Sequence, residues 1–171
     1  MKLCQVYKLI SRPAGSRLFT CYGNKTMRIP TADEDAWNNA EGKNNGRLSY
    51  IRYRPGLQEY LGNPAYSRRL TIFWDYEDDG LGGMPSSELS DQMKDFEDSL
   101  VHELDPDRAG ILAFIYTSAG TREWHFYLKN DCEISLRINQ ALSVFPKLPI
   151  ELQMQDDPEW AELKGVYSLC K

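Results

Sequence analysis

"GILAFIYTSAGTREWHFYLK", Gly110 to Lys129, decides the fold. Gly110 to Thr117 is a continuous apolar run of strand length, suited to a central strand covered on at least one side. "SAGT" then turns the chain. Arg122 to Lys129 alternates, with Trp124, Phe126 and Leu128 on one face and Glu123, His125, Tyr127 and Lys129 on the other. The two segments predict an antiparallel hairpin.

Upstream, "RLTIFWDY", Arg69 to Tyr76, reads as a mostly buried strand that the acids and glycines of "EDDGLGGMP" bring to a stop. Ser86 to Leu104 follows with Leu89, Met93, Phe96, Leu100 and Leu104 at steps of three and four, an amphipathic helix with a strongly acidic outer face. Downstream, Ile134, Ile138, Ala141, Leu142 and Phe145 trace a second helical stripe from about Cys132 to Phe145, with Asp131 placed to cap it and Pro146 and Pro149 ending it. "PIELQM" then turns Ile150, Leu152 and Met154 inward as a last strand.

From residue 69 the order is β-α-β-β-α-β, so the expected fold is α+β: a ferredoxin-like antiparallel sheet with two helices packed on a single face. Right-handed crossovers place strand 69–76 beside both 122–129 and 149–155 and leave 110–117 at an edge. So apolar an edge is an aggregation hazard, and part of residues 1–54 is expected to extend or cover it. There, "CQVYKLI" and "SRLFTCYG" have the content of short strands. "RLSYIRYR", Arg47 to Arg54, alternates until Pro55-Gly56, and "NNAEGKNNG", Asn38 to Gly46, reads as a surface loop. The division expected is a β-rich N-terminal extension, 1–46, packed on a main domain, 47–171.

A chain of 171 residues, 42% hydrophobic, suffices for one well-packed core without metals or disulfides. Leu3 to Ile10 lacks the apolar run of a signal peptide and nothing reaches the length of a membrane span, so a soluble cytoplasmic protein is expected. The four cysteines, at 4, 21, 132 and 170, have no metal-ribbon or redox spacing and read as idle thiols, although spacing does not exclude a bridge. Residues 1–69 hold 12 Lys and Arg against 5 Asp and Glu, and residues 70–171 hold 8 against 20. Either the basic third meets RNA phosphates, with Tyr50 and Tyr53 to stack bases, or the two parts pack and neutralise each other; the scattered arginines favour the second.

"DDPEW", Asp156 to Trp160, holds two adjacent acids. Asp157 as the N-cap of a helix with Pro158 in its first position, Glu159 and Glu162 at the positive end of its dipole and Trp160 folded back as an anchor accounts for the motif. Consecutive residues leaving a strand point apart, so Asp156 and Asp157 do not make a catalytic pair.

Four stretches, "RRLTIFWDY", "GMPSSELSDQMKDFEDSL", "TSAGTREWHFYLKN" and "DDPEW", together resemble the bacterial domain-of-unknown-function family 695 over roughly residues 45–167. That family is similar to the domain of the regulator of ribonuclease E activity B. The resemblance implies a ferredoxin-like fold and a role in binding protein, with no activity assigned.

Two candidate surfaces remain. Arg122, Glu123, His125 and Tyr127 offer a cation, a carboxylate, an imidazole and a phenol near one strand, enough for a small-ligand pocket or a hydrolase; the plain reading is a half-exposed strand with cross-strand pairs. Glu88, Asp91, Asp95 and Asp98 lie on a helix of six acids and one lysine, suited to docking a basic protein surface. His102 and His125 lack partners at ligand spacing, "YEDDGLGG" lacks an EF-hand pattern, and no nucleophile elbow or phosphate loop occurs, so no catalytic residue, metal or cofactor is assigned. The expected function is a non-enzymatic protein-binding module, a regulator or inhibitor of another bacterial protein, with a toxin-neutralising immunity protein within that class. Small-ligand binding or hydrolysis through Arg122 to Tyr127, and RNA binding through the basic third, stand as alternatives.

Overall fold

The computed structural model of the chain describes residues 10–11, 28–77, 82–130 and 133–170. The expected strands "CQVYKLI" and "SRLFTCYG" lie outside the described residues except for Ile10–Ser11 (β1), which pairs in parallel with Gln153 and Met154. Asn38–Asn44 (β2) and Arg47–Tyr53 (β3) form a hairpin, and a 3₁₀ turn, Pro55–Tyr60, follows. Then come Arg68–Asp75 (β4), Ser87–Leu104 (α1), Gly110–Ser118 (β5), Thr121–Leu128 (β6), Ile134–Leu142 (α2), Ile150–Asp156 (β7) and Ala161–Leu169 (α3). The molecule is α+β, with one sheet ordered β1-β7-β4-β6-β5-β3-β2 in which β2 to β7 pair antiparallel with one another and β1 joins β7 in parallel.

Each main element has a local cause. Ser86 caps α1, its hydroxyl accepting the Leu89 N–H at 3.2 Å, and Met93, Phe96, Leu100 and Leu104 face inward at helical spacing. The β5–β6 turn puts Ala119 and Gly120 both at positive φ, the twist that two-residue hairpins favour. A Cβ on Gly120 would stand 2.8 Å from the Tyr76 carbonyl oxygen, which keeps the position glycine. β3 occupies the outer edge of β5, so the apolar run 110–118 is paired on both sides.

Three expectations are corrected. Residues 38–44 are a strand and not a loop: Asn45-Gly46, at φ 49° and 80°, makes a tight turn that lays this polar segment on β3. The second helix is shorter than 132–145; it ends at Leu142, where bonds from Ser143 N–H to Gln140 and from Phe145 N–H to Leu142 tighten the chain ahead of Pro146. The expected cap Asp131 lies outside the described residues.

Most consequential, the sheet is covered on both faces. α1 and α2 pack on the side of Leu70, Ile72, Trp124, Phe126 and Leu152. On the other side Trp160, Leu163 and Val166, from α3 and the turn before it, together with Leu57 and Ile29, cover Tyr53, Ile111, Phe114 and Tyr127. A β-bulge between Leu112 and Phe114 lets successive apolar residues of β5 serve both cores. No described helix is long and apolar enough to cross a membrane.

Candidate functional site

Alternation along β6 separates the four polar residues of "TREWHFY". Arg122 falls on the Trp124 side, donates from Nε to Thr117 Oγ1 at 3.0 Å, and is desolvated enough that its pKa drops below the ordinary guanidinium value. Glu123, His125 and Tyr127 fall on the opposite side, under α3. Neither half is the open strand face that sequence suggests, because His125 is 4% exposed and Tyr127 fully buried.

What surrounds them is a closed polar layer. In the pairing register, Thr71 of β4 lies opposite His125 and Arg69 opposite Tyr127, while Gln155 of β7 lies opposite Arg69. Arg69 contacts His125 Nδ1 at 2.8 Å, Thr71 Oγ1 at 2.8 Å and Gln155 Oε1 at 2.6 Å. A guanidinium only donates, so Nδ1 is the acceptor and the imidazole proton sits on Nε2, which donates to Glu123 Oε2 at 3.0 Å. Phe114 stacks on the ring at 4.0 Å. Burial, the largest influence, pushes the His125 pKa below its usual value; Glu123 pulls it up and Arg69 adds to the depression. The imidazole is neutral and both nitrogens are spent, so His125 is not free to act as a general base.

Asp157 closes the layer. Its carboxylate accepts the Ala161 N–H at 2.6 Å, the Glu162 N–H at 3.3 Å and the Tyr127 hydroxyl at 2.8 Å, and lies 3.7 Å from Arg69 Nε. The phenol's pKa is raised by burial and by this carboxylate. Asp157 therefore does cap the last helix, but from further upstream than the motif predicts. Pro158 and Glu159 form a turn, Trp160 takes a left-handed conformation at φ 55°, and the helix begins at Ala161. Trp160 is held in that conformation by its stack on Tyr127 and by donation from its indole to the Tyr66 carbonyl at 2.9 Å. Asp156, one residue away, points out to solvent.

Among the described residues of the basic N-terminal third, several arginines are paired within the molecule. Arg52 pairs with Glu97 and lies over the Trp37 ring, Arg69 pairs with Asp157 and Glu162, and fully buried Arg54 binds Asp35 and the carbonyls of Pro30, Thr31 and Leu112. Tyr53 is core and Tyr50 half-buried. Buried Asp105, not singled out in the sequence, accepts the Ala32 N–H at 2.6 Å and with Arg54 straps residues 28–37 to the domain.

Charge remains outside on α1. Glu88, Asp91, Asp95 and Asp98 are all exposed, with Lys94 paired to Asp98 as a local cation. Asp95 and Asp98 join Asp33, Ser99, His102 and Phe145 around an open hollow of about 700 Å³. A second hollow of about 540 Å³, beside Tyr60 and Tyr66, contains Arg28 and Arg108, both bound to Glu34. Among the described residues, no three His, Cys, Asp or Glu side chains converge to hold a metal ion.

Fold and site together define an α+β domain whose central strands are covered on both faces and whose buried polar layer is bounded by the partly or wholly exposed Glu123, Gln155 and Glu162. The sequence profile of the family of unknown function DUF695 matches residues 35–163, and the chain belongs to that family. No curated protein and no solved structure matches the chain significantly.

Proposed function

We propose that the protein is a non-enzymatic cytoplasmic module that binds and regulates or inhibits another bacterial protein, and that it docks through the acidic face of α1. One contrast carries this reading. Glu123, His125 and Tyr127 of β6 are bonded within the molecule under α3, whereas Glu88, Asp91, Asp95 and Asp98 remain solvated with one lysine among them. Such a face steers association with a basic partner. A nuclease toxin with a basic cleft is a partner of this kind, which keeps an immunity role within the proposal.

The unit β4-α1-β5-β6-α2-β7, ordered β7-β4-β6-β5 with both helices on one side, supports a ferredoxin-like reading, with residues 1–46 as its β-rich extension. Small-ligand chemistry on the Arg122 to Tyr127 strand loses support because His125 has no free nitrogen. RNA binding loses support because arginines 52, 54 and 69 are paired internally. Affinity capture from the native host at low salt tests the proposal: a stoichiometric basic protein released by salt supports it, and the absence of any such partner counts against it.

A further inference from the structure

We propose that two copies of this chain associate through β2, pairing these edge strands antiparallel about a two-fold axis at Gly42. β2 ends the sheet, has no second strand neighbour among the described residues, and is exposed at every position but half-buried Ala40. Asn44 and Arg47 close a two-residue turn, so the amides of residues 44, 42 and 40 point to β3. Those of Asn39, Glu41 and Lys43 point outward.

Pairing through the outward amides restricts the register. Centred on Gly42, Glu41 of each copy lies directly opposite Lys43 of the other, giving two opposite-charge pairs on one face of the joined sheet. Slipping the axis by one residue either way sets Glu41 against Glu41 or Lys43 against Lys43. Only the Gly42-centred pairing is attractive at both contacts. It is also the pairing in which the two strands approach most closely at a residue with no side chain. The row continues inward to Tyr50 and to Leu48, a large apolar side chain left 41% exposed.

Sedimentation equilibrium of the full chain in reductant, over a concentration series, tests this. The wild type is expected to show a monomer–dimer equilibrium that weakens with salt. Lys43→Glu and Glu41→Lys, each placing like charges at both contacts, are expected to weaken it by about tenfold or more. The double swap E41K/K43E is expected to restore it. A wild type that stays monomeric, a dimer indifferent to both single variants, or a double swap that fails to recover association overturns the proposal.

Discussion

Trp160 lies flat on Tyr127, the ring centroids 4.0 Å apart and the planes 7° from parallel, while the Tyr127 hydroxyl donates to Asp157 three residues before the tryptophan. A short C-terminal helix is thereby fastened to the middle of the sheet by one stack, one phenol and one carboxylate. The closed polar layer depends on that fastening.

Asp157→Ala removes the acceptor for two helix amides and for Tyr127, and leaves Arg69 without its buried carboxylate. The expected loss is about 3–5 kcal/mol in urea unfolding. Tyr127→Phe should cost only about 1–2 kcal/mol. The double variant should cost less than the sum, because both changes remove the same bond.

Trp160→Ala should cost about 3–5 kcal/mol, losing the stack and the indole bond to Tyr66 together. Hydrogen exchange should show α3 opening well before α1.

Arg54 binds Asp35 and three backbone carbonyls while fully buried. Arg54→Met should destabilise by about 3–5 kcal/mol, and Arg54→Lys should recover little, since an ammonium cannot reproduce the fork. A Cβ on Gly56 would come within 2.4 Å of Asp35 Oδ1, so Gly56→Ala should cost about 1–3 kcal/mol. With Arg54 removed Asp35 can move, and the Gly56→Ala penalty should shrink.

His125 sets a pH dependence of known sign. The unfolded chain titrates this residue near 6.5, and the folded chain holds it neutral to lower pH. Between those values the unfolded state binds more protons, so the contribution is complete above 6.5 and is lost as pH falls through the folded value. Asp105 has the opposite sign: burial raises its pKa, so its contribution falls as pH rises above 3.8. Urea titrations as pH falls below 6.5 should show a stability loss in wild type that His125→Gln abolishes. An unchanged slope in that variant would contradict the neutral, fully bonded imidazole.

The elements legible in the sequence are those whose signal is local. α1 announces itself through Ser86 and four inward apolar residues, and the 110–129 hairpin through its alternation and its glycine turn. β2 was hidden because Asn38 to Asn44 has no apolar face; only the Asn45-Gly46 dipeptide signalled a hairpin. The polar layer was hidden for another reason. His125 reads as part of a half-exposed strand and Asp157 as a helix cap, and their joining to Arg69 and Gln155 in one layer follows only from pairing strands far apart in sequence. Asp157 as a cap was readable from Asp-Pro-x-Trp. Its offset from the helix start depends on a left-handed Trp160, which tertiary contacts enforce and local propensity opposes.

In the proposed function α1 is the working surface and the β6 layer is scaffold. The direct measurement is calorimetric affinity of the captured partner for wild type, for E88Q/D91N/D95N/D98N and for His125→Gln, each at several salt concentrations. The neutralised helix should lose most of the affinity and its salt dependence, with His125→Gln binding as wild type does. Full affinity in the neutralised variant, or its loss in a folded His125→Gln, would contradict the account.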